Sequence, residues 1–364
     1  MHYAHRRDAI NATGVLAAVF LLAGCGSADR AQTTDGGPER IIPFERAFSL
    51  ERRFELADDP ADPIAQPAAV ALWGDRLIVV DQMQGNVKVF DQDGGRSHVI
   101  GRPGDGPGEF RIPMAAVPLD DGRLAVYDQR HHRVEFFGRD GSHVNGWEVP
   151  ALGERGFGSM GGDRFLITAR EFIDRSEGGS TPRTEAIHVI DSNGRHVRSF
   201  GHVQLADDPH ARTFSGITAA SMDPYVVYGD RTSNRVHIYD TRTSREISRE
   251  VGASIYEPPA WPEKKLGDLT AVSEWSNQQM WLTRIVPLGS SLLAVAFTGY
   301  DRLNDTRDFR YTVMTTAGTV LFSTPPTTRS LRFADAERIY ATVTDENGSV
   351  FVEVYRLNPT GGVR

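Results

Sequence analysis

Residues Leu77–Asp91 read LIVVDQMQGNVKVFD: an apolar run rich in β-branched residues, an aspartate, and, six residues later, a valine that opens a second run. The same pattern returns without gaps as LAVYDQRHHRVEFFG (Leu124–Gly138) and VVYGDRTSNRVHIYD (Val226–Asp240). Asp81, Asp128 and Asp230 hold one position of the repeat, and Val87, Val134 and Val236 hold another. Short β-rich runs bounded by turn residues read as strands. Their recurrence at a fixed period reads as a repeat architecture. Asp81 and Asp128 lie 47 residues apart, and Asp128 and Asp230 lie 102 apart, or two units of 51. A further copy must therefore stand between them. RFLITAR (Arg164–Arg170) and EAIHVIDSNG (Glu185–Gly194) supply it, with an insertion between its two strands.

Two weaker copies follow. SLLAVAFTG (Ser291–Gly299) pairs with FRYTVMTTAG (Phe309–Gly318), and RIYATVTDENG (Arg338–Gly348) pairs with SVFVEVYRL (Ser349–Leu357). Short strands such as PAAVAL and SGITAA precede the pairs, and others such as RSHVIG and HVRSF follow them. Four short strands per unit, every 40–50 residues or so, are the signature of a propeller blade. The expected fold is all-β: a six-bladed β-propeller with four-stranded antiparallel blades. A seven-bladed ring is its rival, because the later copies are weak. Only WPEKKLGDLTAVSEWSNQQMW (Trp261–Trp281) reads as helical. The last blade shows three strands, beginning at RSLRFAD. FERAFSLERRFEL (Phe44–Leu56) is expected to be its fourth and to remove an exposed sheet edge.

These residues resemble the NHL-repeat propellers, in which a strand, an aspartate, a short loop ending in Asn/His-Arg-Val, a second strand and an Asp-Gly turn recur. YDQRHHRVEFFGRDG matches that pattern best and GDRTSNRVHIYD next. The resemblance covers most of residues 66–250 and fades beyond them. It also includes GPGEF (Gly106–Phe110), placed before the first strand of a blade. The surrounding GRPGDGPGEFRIP (Gly101–Pro113) then reads as a connector between blades, with glycines for tight turns and Phe110 packed between them. A phosphate loop would need Gly-Lys-Ser/Thr and a following helix, and neither is present.

The chain has 364 residues, is 40% apolar and 24% charged, and carries a net charge of −8. That composition fits a globular protein. It offers no basic stripe, so no nucleic-acid partner is expected. Arg6 and Arg7 precede VLAAVFLLAG (Val15–Gly24), an apolar run too short to span a bilayer but suited to a signal peptide. Leu22-Ala23-Gly24-Cys25 resembles the bacterial lipobox, and the resemblance implies cleavage before Cys25 and lipid attachment to its thiol. Cys25 is the only cysteine, so internal disulfides and cysteine catalysis are excluded. Gly26 rather than aspartate follows it, which in Gram-negative lipoproteins favours the outer membrane. The expected organisation is a signal peptide (1–24), a lipidated cysteine with a flexible tether (25–43) and a propeller (44–364). The expected location is a bacterial cell envelope, facing the periplasm or the cell surface.

In a propeller, the turns between first and second strands share one face with those between third and fourth. Here those turns are short: WGD, LDDG, MGGD, DQDGG, GRDG, DSNG. The long segments, Gly101–Pro113, Glu171–Thr184, His202–Phe214, Ser254–Trp281 and Tyr300–Asp308, all fall on the other face. Insertions gathered on one face mark a binding surface. Its candidate residues are Arg102, Asp105, Glu109, Arg130, His131, His132, Arg170, Arg231, Trp261, Trp275, Trp281, Tyr300, Asp301 and Arg302. Arginine and aromatic side chains are typical interface anchors. Asp81, Asp128 and Asp230 are read as structural caps of the turns that follow them.

The inner strands, PAAVAL, PMAAVPL, GFGSMGG, SGITAA, TRIVPLG and RSLRFA, offer small apolar and hydroxyl groups without acidic or histidine ligands. A channel metal site, as in propeller lactonases and amidating lyases, therefore lacks its donors. No cofactor, metal or catalytic residue is assigned. The expected function is an envelope binding or scaffold module that engages a protein, peptide or glycan. The alternative is a hydrolase or lyase acting at the channel mouth.

Overall fold

The computed structural model describes residues 39–149, 151–152, 156–169, 171–174, 181–183, 185–203, 214–261, 269–301 and 306–358. A one-turn helix, α1 (Phe44–Ala47), leads into β1 (Phe48–Glu55). Blade 1 is β2 (Pro67–Trp73), β3 (Arg76–Asp81), β4 (Asn86–Phe90) and β5 (Arg96–Ile100). A parallel pair, β6 (Arg102–Pro103) and β7 (Glu109–Phe110), precedes blade 2: β8 (Pro113–Pro118), β9 (Leu124–Asp128), β10 (Arg133–Phe137) and β11 (His143–Glu148). Next come β12 (Ala151–Leu152), β13 (Gly156–Gly161), β14 (Arg164–Thr168), β15 (Glu171–Asp174), β16 (Thr181–Arg183), β17 (Ile187–Asp191) and β18 (His196–Phe200). Of these, β13, β14, β17 and β18 form blade 3, while β12, β15 and β16 form a small sheet of their own.

Blade 4 is β19 (Ile217–Met222), β20 (Tyr225–Asp230), β21 (Arg235–Asp240) and β22 (Arg245–Glu250). The helix α2 (Leu269–Asn277) precedes blade 5: β23 (Trp281–Leu288), β24 (Leu292–Asp301), β25 (Thr306–Thr315) and β26 (Val320–Ser323). Blade 6 takes β27 (Ser330–Ala334), β28 (Ile339–Thr344) and β29 (Val350–Leu357), and β1 completes it as the outer strand. The fold is a six-bladed β-propeller with four-stranded antiparallel blades.

The periodicity of the strands explains the ring. Successive side chains point to opposite faces of a strand. In β3, Ile78 and Val80 pack toward blade 2, while Leu77 and Val79 pack toward blade 6. Each blade is thus apolar on both faces, which is why its middle strands read as continuous apolar runs. Six buried clusters result, one at each junction of neighbouring blades. Burying one valine, leucine, isoleucine or phenylalanine contributes roughly 1.5–3 kcal/mol. The innermost strands β2, β8, β13, β19, β23 and β27 each touch the next around the axis, and β27 touches β2.

β1 pairs with β29 from Phe48 opposite Leu357 to Glu55 opposite Phe351. Its N-terminal neighbours do not continue the strand. Residues Phe44–Ala47 turn into a helix behind Pro43, and Phe44 is buried against Phe48, Tyr311 and Tyr355. Upstream, the amide of Ile42 donates to the Ser323 carbonyl and that of Ser323 donates to the Arg40 carbonyl. The segment therefore straps blade 5 before it closes blade 6.

The three repeated aspartates are buried. Asp81 accepts the amides of Ala65, Gln66 and Gln84. Asp128 accepts those of Arg111, Ile112, Arg130 and His131. Asp230 accepts the Thr232 amide and the hydroxyls of Ser215 and Thr232. Each carboxylate thus holds its own turn and also the connector arriving at the same blade. Asp81 further faces Lys88, whose side chain is completely buried between Asp81 and Asp62 at 3.2 and 3.0 Å. Removing one partner of a buried ion pair costs about 3–5 kcal/mol. Asp81→Ala is expected to lower stability by about that amount in denaturant titration, whereas Asp93→Ala, on an exposed turn, should change it by less than about 1 kcal/mol.

Candidate functional site

The connector Gly101–Pro113 is fixed from within. Gly101 and Gly108 lie in the left-handed region, with φ of 71° and 72°. A Cβ on Gly101 would sit 2.2 Å from the ring of Phe110, so only glycine lets that ring reach the junction of blades 1 and 2. Phe110 is fully buried there, 5.7 Å from Phe137 between ring centroids. The charges of the loop close on each other. Arg102 pairs with Glu109 at 2.7 Å and Arg111 with Asp105 at 2.6 Å. His131 bridges Asp105 and Asp128, each at 2.8 Å. Hydrogen bonds from Arg111 and His131 hold the Asp105 carboxyl well below the usual carboxylate range. The Gly106 amide and the Arg102 guanidinium lower the pKa of the Glu109 carboxyl.

A second group forms over blades 4 and 5. Trp281, the first residue of β23, is buried, and its indole N–H donates to the Ser276 carbonyl. Trp275 on α2 and Trp261 approach it with ring centroids 6.0 and 6.3 Å away. Phe214 lies among all three, 4.8 Å from Trp275 and 5.7 Å from Trp281. The Arg231 guanidinium lies 5.0 Å from the Trp281 ring centroid. Trp275 donates its indole N–H to the Ala260 carbonyl. The indole N–H groups of Trp275 and Trp281 are thereby satisfied, while Phe214, Trp261, Trp275 and Arg231 keep part of their surface exposed. Four aromatic rings and a guanidinium gathered on one rim carry the composition of an interface anchor.

The candidate residues therefore divide. Arg231, Trp261, Trp275 and Trp281 converge. Arg102, Asp105, Glu109 and His131 instead belong to a closed ion-pair network within their own blade junction. Arg130 and His132 are exposed on the adjacent turn, His132 with φ of 52°. Tyr300 lies near the tip of the long β24–β25 hairpin, opposite Arg307, and Asp301 is the last residue of β24. Cys25, Arg170 and Arg302 lie outside the described residues. Phe214 was not singled out in the sequence because it reads as the end of a loop. Its nearness to three tryptophans is a tertiary fact.

Two further residues were missed. Arg284 on β23 and Arg332 on β27 are the only charged side chains on the six innermost strands. Those strands otherwise carry apolar residues, glycine, serine and threonine. Among the described residues no three His, Cys, Asp or Glu side chains are grouped to hold a metal ion. On the opposite, short-turn face, a groove of about 470 Å³ opens at the seam of blades 6 and 1, lined by Glu51, Arg52, Phe54, Asp335, Arg338 and Tyr340 among others. An ion pair between Arg338 and Glu51, 3.4 Å apart, lies across it.

The model of the DUF5128 family, described as a 6-bladed beta-propeller, matches residues 59–150, which hold blades 1 and 2. No curated protein sequence matches the chain. Among solved structures, a putative exported protein from Bacteroides fragilis is similar over 88% of this chain and 98% of its own, with 14% identity and a TM-score of 0.56. A member of the DUF4221 family from Bacteroides vulgatus is similar over 85% and 98%, with 11% identity and a TM-score of 0.55. At such identities the likeness is one of fold.

The closed network on the blade 2 side has a measurable consequence. A carboxylate with a depressed pKa in the folded state contributes stability above its unfolded pKa and loses it as pH falls through the folded one. Protection of the Gly106 amide, which donates to Glu109 at 2.9 Å, should therefore persist on acidification to about pH 4.5 and fall away below it. Glu109→Ala, which removes the acceptor, is expected to speed exchange of that amide about tenfold at pH 7. Unchanged exchange would show that the connector is held without it.

Proposed function

We propose that this chain is a lipid-anchored protein of a bacterial cell envelope whose propeller binds a protein, peptide or glycan through its long-loop face. The observation that carries this reading is the rim cluster of Phe214, Trp261, Trp275, Trp281 and Arg231. Large, stiff aromatic side chains lose little entropy on binding and bury much area, and arginine supplies directional donors. The ion-paired connector on the blade 2 side acts as a fixed rim and leaves the aromatic half to make contact. The anchor is assigned to Cys25 on its lipobox-like context, and residues 26–38, which precede the strap on blade 5, serve as the tether. Stable attachment needs more than one acyl chain, which the mature lipoprotein pattern provides.

Two measurements test the reading separately. Cys25→Ser should move the protein from the membrane to the soluble fraction in envelope fractionation. The pair Trp261→Ala and Trp275→Ala removes partly exposed rings and keeps the buried Trp281. It should reduce recovery of cross-linked envelope partners at least tenfold while the far-UV spectrum stays that of the wild type. Equal recovery would move the binding surface elsewhere, and the seam groove on the short-turn face would be next to examine.

A further inference from the structure

Arg284 and Arg332 stand side by side on adjacent inner strands. The Arg284 Nη1 donates to the carbonyl of Leu331 at 3.2 Å, so its guanidinium rests on the residue immediately before Arg332. The Arg332 Nε donates to the Thr342 hydroxyl at 2.7 Å. Both side chains are enclosed by protein yet keep some accessible surface, as expected of groups that line a narrow channel. Each sits at a β-bulge: one interrupts β23 between Leu282 and Arg284, the other β27 between Leu331 and Phe333. Bulges re-aim side chains.

No carboxylate among the described residues pairs with either arginine, although most other arginines within the ring have one. The nearby phenol, Tyr311, is already used. Its hydroxyl donates to the Arg329 carbonyl at 2.7 Å and accepts the Leu331 amide at 2.8 Å. Burial raises the pKa of this phenol, so it stays neutral. Two like charges withdrawn from water repel each other, and burial and then the Arg284 charge lower the proton affinity of Arg332. A guanidinium does not lose its proton in a protein. The relief open to such a pair is an anion. Each guanidinium has five N–H donors, and one on each is committed to protein. The remaining donors suit the oxygens of a carboxylate or phosphate.

We propose that Arg284 and Arg332 form a binding site within the central channel for a small oxyanion group, a carboxylate or a phosphate. Arg284 lies three residues along β23 from Trp281, about 10 Å at strand rise, so a ligand could reach the pair from the aromatic rim. The site does not depend on the rim's role. An oxyanion arriving from either face would meet the same two guanidiniums.

The test uses the full-length chain in detergent, titrated with sodium phosphate or sodium malonate at constant ionic strength set with sodium chloride. Either anion should raise the melting temperature of the wild type by several degrees and bind measurably in calorimetry. Response to phosphate alone identifies a phosphate site, and response to malonate alone a carboxylate site. Arg284→Met and Arg332→Met should each weaken binding at least tenfold. Arg332→Met should melt no lower than the wild type in chloride, because it removes the repulsion. Arg284→Lys, which keeps the charge and loses the planar fork, should bind at an intermediate level and covers the case in which a methionine variant does not fold. No response of the wild type to either anion would overturn the proposal. So would equal responses in the wild type and a folded methionine variant.

Discussion

The antiparallel pairing of β1 with β29 is the constraint on which the molecule depends. Without it, blade 6 would be a three-stranded sheet with an open edge, and open edges recruit other strands. With it, every blade has four strands and two apolar faces, each covered by a neighbour. The strap that precedes β1 extends the same logic. Residues Arg40 and Ile42 hydrogen-bond to the outer strand of blade 5, and Phe44 fills the space between blades 5 and 6. The first described segment of the chain thus secures the last two blades at once.

The blades were legible in sequence because their chemistry repeats. Asp81, Asp128 and Asp230 mark the same corner three times, and the corner needs a carboxylate because several backbone amides converge there. Loop lengths were legible too, since they are read by counting. What lay beyond reading depends on contacts between distant segments. Lys88 looks like the exposed position of an alternating strand, yet it is buried against Asp62 and Asp81. The strand expected from Phe44 starts four residues later, because Phe44 gains more as a buried plug than as an edge residue. The small sheet of β12, β15 and β16 joins an insertion to a connector some twenty residues upstream, and no local pattern announces it.

The channel arginines show the limit most clearly. Alternation assigns a face to each residue of a regular strand, but one extra residue reverses the assignment for all that follow. Arg284 and Arg332 both occur at such interruptions. In the strands WLTRIVPL and SLRFA each is the single charge, and their direction is set by bulges visible only in the folded register. The aromatic rim is a milder case. Its three tryptophans were noted as residues of one long loop face, while the packing that unites them runs through Phe214 and α2.

The closure of the ring also dictates when the fold can be finished. Phe48 must wait for Leu357, so more than three hundred residues have to be present before the seam can zip. Contacts of such sequence separation make assembly slow. A chain still being synthesised can stack its early blades, but it stays an open arc with two bare flanks. Completion waits for β29, and a product truncated before it keeps an unpaired first strand.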